Sequence, residues 1–447
     1  MDDSFLIREA TVVNEGNVFA GDVLIENGII TAIGNGLHPS SAAIPVIEAH
    51  GQLLLPGVID DQVHFREPGL TAKADIATES HAAVAGGVTS YMEMPNTDPK
   101  ATTLDILEEK YRLAATKSLA NYSFFLGATN ANQEEIRKAD PRKICGVKVF
   151  MGASTGNMLV DDPKALEAIF SGTGMIVAVH SEDENIIRRN LQSFKEKYGD
   201  DIPMEAHPLI RSEEACLRST ERAIALAKKH NTRLHILHLS TAAEAALLDN
   251  TMPLGEKRIT AEVCVQHLWF DDRDYARLGS LIKWNPAIKS EKDKNGLLKA
   301  LLDGRIDIIS TDHAPHLREE KEHPYTSCPS GAPMVQHSLN IMLEFWRRGM
   351  ISLETIVQKM CHNPAILYRI AKRGFIREGY AADLVLVNPD AGLTVSRDNI
   401  FYKCGWSPLE GTKFKTRITH TFVNGRAVFV NGRFDESVKG QRLLFND

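Results

Sequence analysis

Polar residues that could bind a metal ion or carry a proton lie directly after short apolar runs of the sequence. His64 follows LLLPGVIDDQV, His180 follows MIVAV, and Asp312 follows IDIIST. Imidazole and carboxylate groups are ligands for zinc-like ions, and a carboxylate can also serve as a general base. Five further polar residues occupy the same kind of position: Arg66, Asn96, Lys148, His238 and His316. The pattern predicts a metal-dependent enzyme.

Three of the histidines are candidate metal ligands because of their position. His64, His180 and His238 each follow an apolar run, so the three imidazoles face a common mouth if these runs are strands of one barrel. His235 lies three residues before His238, and the alternation of side chains along a strand sends it to the opposite face. We therefore expect His235 to be structural.

Lys148 and Asp312 each allow two interpretations. Lys148 lies in GVKVFMG between apolar neighbours. Burial near a metal would favour its free amine, which can add carbon dioxide to form a carbamate; alternatively, the side chain extends to solvent. Asp312, in ISTDHAP, could ligate a metal and move a proton, or could cap a turn. Its place after the last apolar run of a histidine-rich barrel favours the catalytic interpretation.

The apolar runs alternate with amphipathic stretches, and this alternation indicates the fold class. Eight runs have the length of buried strands, and the stretches between them, such as TLDILEEKYRLAATK and ERAIALAKKH, have the helical period. The alternation predicts an α/β fold with a TIM-like (β/α)8 barrel, whose catalytic residues lie at the carboxyl ends of the strands. The polar segment 313–336 follows the last strand and is predicted to be an active-site loop that could act as a lid.

The two ends of the chain differ from the middle. Residues 1–54 and 376–447 carry short alternating runs, such as DVLIENGIITAIG and THTFVNGRAVFV, separated by turn signals. We expect them to join into one small β-sandwich domain, with residues 55–375 forming the catalytic barrel. Two separate β appendages are the alternative.

Composition limits the class of protein. The 447 residues carry a formal net charge of −7 without a long run of like charges, so we expect neither nucleic acid nor a membrane as partner. The first residues, MDDSFLIREATVV, lack the basic and apolar regions of a signal peptide, and no apolar run approaches a membrane span. The six cysteines are scattered without a CxxC pair, which is typical of a reduced, cytoplasmic protein.

Seven segments are specific enough to suggest a family: PGVIDDQVHFREPG, MPNTDP, KVFMGASTGNM, VHSED, HILHLST, TDHAPH and ADLVLVNP. Together they resemble the dihydroorotases, cyclic amidohydrolases of the amidohydrolase superfamily, over nearly the whole chain. The resemblance implies one or two zinc ions, with carbon dioxide as a carbamate on the lysine, and the metal-binding residues His64, Lys148, His180, His238 and Asp312. It also implies that Asp312 is catalytic and that the substrate is held by Arg66, Asn96, Asn285, His316 and Gly331.

The implied reaction is the reversible cyclisation of N-carbamoyl-L-aspartate to (S)-dihydroorotate, a step of de novo pyrimidine biosynthesis. Water would be activated on a metal, and Asp312 would shuttle the proton. One position departs from the DxHxH motif of the family, because Gln62 lies where its first histidine is expected. An amide oxygen is a weaker zinc ligand than imidazole, so the number of metal ions stays open.

Two other functions remain open. A hydantoinase, dihydropyrimidinase or allantoinase shares the metal core, but its ring substrates lack the carboxylate that Arg66, Asn96 and His316 would bind. A non-catalytic scaffold for aspartate transcarbamoylase is suggested by Gln62, whereas the other retained metal ligands favour an enzyme. The resemblance also allows a homodimer.

Overall fold

The computed structural model describes residues 3–152 and 158–446. Residues 153–157, within the segment KVFMGASTGNM, lie outside this range. The barrel region begins after five strands: β1 (Phe5–Asn14), β2 (Asn17–Glu26), β3 (Ile29–Gly34), β4 (Val46–Glu48) and β5 (Leu53–Pro56). Nine strands follow in the middle of the chain: β6 (Val58–Val63), β7 (Val88–Glu93), β8 (Asn121–Phe124), β9 (Leu126–Gly127), β10 (Val147–Phe150), β11 (Val177–His180), β12 (Leu234–Ile236), β13 (Ile259–Cys264) and β14 (Ile308–Ser310). The last strands are β15 (Leu384–Asn388), β16 (Leu393–Thr394), β17 (Lys413–Phe414), β18 (Arg417–Val423), β19 (Arg426–Val430) and β20 (Arg433–Phe434).

The helices occupy the middle of the chain, between and after the barrel strands. They are α1 (Ile76–Ala85), α2 (Leu104–Lys117), α3 (Gln133–Lys138), α4 (Pro163–Gly172), α5 (Glu184–Tyr198), α6 (His207–Ile210), α7 (Glu213–His230), α8 (Ala242–Ala245), α9 (Val265–Trp269), α10 (Tyr275–Leu278), α11 (Glu291–Leu302), α12 (Arg318–Lys321), α13 (Ser338–Arg347), α14 (Leu353–Val357) and α15 (Asn363–Leu367). Among the described residues, no helix combines the length and the apolarity that crossing a bilayer requires.

Parallel strands of the middle region close into a barrel. β6, β7 and β8 pair in sequence order, and β9 to β14 pair in the same way. Only Phe125 separates β8 from β9, so the two strands share one of the eight barrel positions. The barrel closes where Val63 bridges to His313 and the His64 N–H donates to the His313 carbonyl at 2.7 Å. The predicted α/β fold with a TIM-like barrel is confirmed.

The helices form where the sequence supplies caps, charges and an apolar face, as α7 illustrates. The Ser212 side chain accepts a hydrogen bond from the Ala215 N–H and so caps the helix start. Acidic residues occupy its first turn and basic residues its last turn, which suits the helix dipole. Asn231 ends the helix with φ = +54°, a left-handed conformation that asparagine tolerates. The helical period in ERAIALAKKH predicted this element correctly.

Strands from both ends of the chain form one nine-stranded sheet. Its order is β20-β19-β18-β15-β5-β1-β2-β3, and β4 pairs with β1. The link between the two ends is the antiparallel pair β5 and β15, in which Leu54 faces Leu386. A β domain built from both termini is therefore present, and the alternative of two separate appendages is wrong. The limits predicted for the two domains stay predictions; β5 extends to Pro56 and runs through Gly57 directly into β6.

Candidate active site

A cavity at the carboxyl ends of the barrel strands brings together most of the residues predicted from the sequence. Its lining residues are Gln62, His64, Arg66, Lys148, Phe150, His180, His238, Trp284, Asn285, Asp312, Ala314, Ser330 and Gly331. Asn96 and His316 lie behind this lining, hydrogen-bonded to His64 and next to Arg66, respectively. A larger cleft of about 890 Å³, beside α14, α15 and the terminal sheet, contains none of the predicted site residues.

His180 and His238 point their nitrogens at each other. His180 Nδ1 lies 2.9 Å from His238 Nε2, and both side chains are buried. Burial lowers the pKa of both imidazoles, so both are neutral and can offer a lone pair to a metal. The second nitrogen of His180 lies 3.0 Å from the Glu182 carboxylate, an arrangement that often orients a metal-binding histidine. The facing nitrogens of His180 and His238 therefore suit a metal ion as ligands.

The backbone of His238 is held in an unusual conformation. Its φ is +40°, a region that non-glycine residues rarely adopt. The His238 N–H donates to Glu262 Oε1 at 3.0 Å, and this bond helps to hold the turn that directs the imidazole into the cavity. His238 Nδ1 is buried and has no hydrogen-bond partner among the described residues.

Gln62 and His64 both contact the same oxygen of Asp312. Gln62 Nε2 donates to Asp312 Oδ1 at 3.1 Å, and His64 Nε2 lies 3.1 Å from the same oxygen. The other His64 nitrogen is 2.8 Å from Asn96 Oδ1, which fixes the plane of the ring. The amide oxygen of Gln62 faces Cys264 Sγ at 3.8 Å. In this arrangement Gln62 orients the Asp312 carboxylate.

Lys148 is buried at the cavity. Only 1% of the residue is exposed, and Nζ lies 4.6 Å from the centre of the Phe150 ring. No carboxylate of the described residues lies within ion-pair distance of Nζ. Burial lowers the pKa of the Lys148 amine to about 7, so a large fraction is uncharged and nucleophilic at neutral pH. The interpretation in which Lys148 extends to solvent is therefore wrong.

Arg66 places a cation at the edge of the cavity. Its Nε–H donates to the Pro315 carbonyl at 3.1 Å, and a terminal nitrogen lies 3.1 Å from His316 Nε2. No carboxylate of the described residues forms an ion pair with it. Burial lowers the pKa of Arg66 to about 10, which leaves the guanidinium charged at neutral pH. Such a group can bind a carboxylate.

Asn285 and Gly331 also line the cavity. Asn285 Oδ1 is buried and has no hydrogen-bond partner among the described residues, so it can receive a donor from a ligand. Gly331 has φ = +125°, and an added Cβ would lie 2.5 Å from the Ala314 carbonyl oxygen. Only glycine fits there. The predicted substrate residues thus line the cavity or contact its lining; their roles stay predictions.

The structure adds a buried cluster that the sequence did not indicate. Asp61, His235 and Glu262 place ligand-type atoms within 4.8 Å of one another. His235 Nε2 lies 3.4 Å from an oxygen of each acid, and the Tyr368 hydroxyl donates to Asp61 at 3.0 Å. Burial opposes protonation of His235, but the two carboxylates raise its pKa to about 9. An irregular register in β6 between Asp60 and Val63 accompanies this arrangement, and strand alternation does not reveal it.

Comparison with known proteins identifies the family. The model of the amidohydrolase family matches residues 53–428. A dihydroorotase of Methanosarcina acetivorans is 31% identical over 415 residues, 91% of this chain and 88% of the relative. An allantoinase of Bacillus velezensis is 30% identical over 433 residues, 96% and 94% of the two chains. The solved L-hydantoinase (dihydropyrimidinase) of Arthrobacter aurescens superposes with a TM-score of 0.91 at 28% identity, over 96% and 97%. The chain belongs to the amidohydrolase family, whose members are generally metal-dependent hydrolases.

Proposed function

We propose that this amidohydrolase is a dihydroorotase, which interconverts N-carbamoyl-L-aspartate and (S)-dihydroorotate. A relative named dihydroorotase and one named allantoinase are almost equally identical to this chain, so sequence identity does not distinguish between their substrates. The observation that carries the proposal is the buried Arg66 guanidinium, which lines the cavity without a carboxylate partner among the described residues. Dihydroorotate carries a ring carboxylate, whereas hydantoin and allantoin do not.

The residues that would hold the metal are His64, Lys148, His180, His238 and Asp312. We propose one or two zinc ions, because neutral imidazoles and carboxylate oxygens suit zinc. When bound, zinc supplies an activated water and polarises the ring carbonyl. The free amine of Lys148 would add carbon dioxide and release a proton, and the resulting carbamate would offer two oxygens that share one negative charge.

Asp312 would move the proton. His64 and Gln62 both hold Oδ1, whereas Oδ2 has no hydrogen-bond partner among the described residues. In the hydrolytic direction, Oδ2 would accept a proton from the attacking water and deliver it to the ring nitrogen that leaves. In the direction of cyclisation, the same oxygen would take the proton from the attacking carbamoyl nitrogen.

The substrate would be fixed at both ends. The Arg66 guanidinium would bind its carboxylate, with Asn96 and His316 setting the position of neighbouring groups. Asn285 would accept a hydrogen bond from a ring N–H, and the backbone of Gly331, which lines the cavity, would lie against the ring. A chain of net charge −7 can bind an anion in this way, because the nearby Arg66 guanidinium sets the electrostatic potential of the site.

Turnover of the purified chain tests the proposal. Dihydroorotate, hydantoin and allantoin are compared at equal concentration with zinc and bicarbonate, and again after treatment with a chelator. Chelator-sensitive turnover that is highest for dihydroorotate is expected. Higher turnover of hydantoin or allantoin would assign a sibling activity, and a folded, zinc-loaded chain inactive on all three would favour the scaffold for aspartate transcarbamoylase. Light scattering of the same sample tests the predicted homodimer.

A further inference from the structure

Two buried lysines connect the two segments that form one wall of the cavity. Lys283 directly precedes Trp284 and Asn285, and Lys321 ends the short helix α12 in the loop after β14. Their exposed fractions are only 6% and 1%. Neither lysine lines the cavity itself. We call Lys283 and Lys321 the lysine clamp.

Lys283 belongs to the segment 283–286, and its side chain donates hydrogen bonds to the loop after β14. Its Nζ donates to the Tyr325 carbonyl at 2.7 Å and to the Cys328 carbonyl at 2.5 Å. The same nitrogen lies 4.4 Å from the centre of the Tyr325 ring, which favours a cation. In return, the Lys283 carbonyl accepts the Gly331 N–H at 2.8 Å.

Lys321 lies within the loop and donates hydrogen bonds to the loop backbone. Its Nζ donates to the carbonyls of Pro329 and Gly331, both at 2.8 Å, and lies 3.5 Å from the Lys283 carbonyl. Both backbone polar groups of Gly331 are therefore fixed, one by each member of the clamp. The position of Gly331 against the cavity depends on these bonds.

His207 adds a third link between the same segments. Its Nδ1 lies 2.8 Å from the Tyr325 hydroxyl, and its Nε2 lies 2.6 Å from the Trp284 carbonyl. Burial holds the pKa of His207 well below its usual range, so one nitrogen donates and the other accepts. The loop and the 283–286 segment are thus joined by side chains of three residues.

Burying the two lysines is energetically unfavourable, which indicates that they do more than fill space. Neither lysine forms an ion pair with a carboxylate of the described residues, and an unpaired buried ammonium is unfavourable. Burial lowers the pKa of Lys321 to about 7 and that of Lys283 to about 8. An uncharged amine still has two N–H donors, so the shortest bonds of each lysine persist in either state.

We propose that Lys283 and Lys321 are positioning residues, which hold Asn285 and Gly331 in the geometry that binds the ring of the substrate. The inference rests on the proposed function and extends it to two residues that touch no substrate. The loop 313–336, predicted as a possible lid, is held on this wall by the clamp. Loss of the clamp should weaken substrate binding and leave proton transfer at Asp312 nearly unchanged.

The experiment compares Lys321→Met with a matched control. Lys359 is also buried, at 5% exposed, and donates to one backbone carbonyl, that of Ile306 at 2.6 Å, outside the cavity. We expect Lys321→Met to raise the KM for dihydroorotate at least tenfold with kcat within threefold of the parent. Lys359→Met should lower the melting temperature without changing KM. An unchanged KM for a folded Lys321→Met chain would overturn the proposal.

Hydrogen exchange provides the readout that does not depend on turnover. The amides of residues 325–331 should exchange faster in Lys321→Met and remain protected in Lys359→Met. If Lys321→Met fails to fold, Lys283→Gln replaces it and is judged by the same two criteria. An inactive parent chain would refute the proposed function alone, and unchanged protection of these amides in the folded clamp variant would overturn this inference independently.

Discussion

Replacing Arg66 by methionine tests the substrate assignment most directly. The change removes the guanidinium and keeps much of the apolar stem. Within the protein, Arg66 uses one N–H on the Pro315 carbonyl, and one terminal nitrogen lies beside His316. Further N–H groups of the guanidinium are therefore available for a substrate carboxylate, which can accept two charge-assisted hydrogen bonds.

The expected size of the effect follows from those two bonds. Hydrogen bonds to charged groups contribute about 1.5–3 kcal/mol each, so their loss removes about 3 kcal/mol at the low end. Since about 1.4 kcal/mol corresponds to a factor of ten, KM for dihydroorotate should rise about a hundredfold. Because the carboxylate is bound in the ground state and in the transition state alike, kcat should change little.

The assay measures kcat and KM for dihydroorotate and for a cyclic amide without a carboxylate, such as hydantoin. The control is Arg273→Met, an exposed arginine paired with Asp271 and Glu291 at the surface. Any turnover of hydantoin should be unaffected by Arg66→Met. A KM for dihydroorotate within threefold of the parent would refute the reasoning, and an equal loss on both substrates would indicate general damage to the site.

Four further predictions concern the metal and the proton. Asp312→Asn should lower kcat by about 10²–10⁴ with the fold retained, because an amide cannot take the proton; near-normal turnover would exclude the shuttle. Gln62→His should raise the zinc content of the purified chain, since imidazole binds zinc better than an amide does, and unchanged content in elemental analysis would contradict this. Activation of the metal-free chain by zinc at constant dissolved carbon dioxide should rise with pH and level off above about pH 8, because the pKa of Lys148 is about 7. A tenfold rise per pH unit up to pH 9 would instead indicate an unperturbed lysine. Because the pKa of Lys148 is lowered, the unfolded chain holds one more proton than the folded chain between about pH 7 and 10.5. The free energy of unfolding of the parent, measured with urea, should therefore rise relative to that of Lys148→Met as pH increases through that window.

The sequence predicted the barrel because its signals are local. An apolar run followed by His64, His180 or Asp312 identifies a strand and its end without reference to the rest of the chain. The closure of the barrel then brings these ends together, since all its strands are parallel. The placement of Arg66 and Lys148 at the cavity follows from the same rule.

The remaining parts of the site depend on contacts that no local pattern encodes. Lys321 reaches the cavity wall through carbonyls of its own loop and of Lys283, and a lysine in a polar segment gives no sign of burial. His235 does not line the cavity, as expected of a structural residue, but its contacts with Asp61 and Glu262, beside the turn that carries His238, were not predicted. These contacts join residues of three strands, β6, β12 and β13, and no local pattern of the sequence pairs them.

The sheet that joins the two ends of the chain constrains how the protein is made. About 330 residues separate Pro56, at the end of β5, from Leu384, at the start of its neighbour β15. A ribosome that adds about 5–20 residues per second needs about 15 to 65 s to synthesise that interval. Throughout that time the inner edge of β5 lacks its final neighbour and remains open to incorrect pairing. The N-terminal strands are therefore the segment for which assistance by chaperones during translation should matter most.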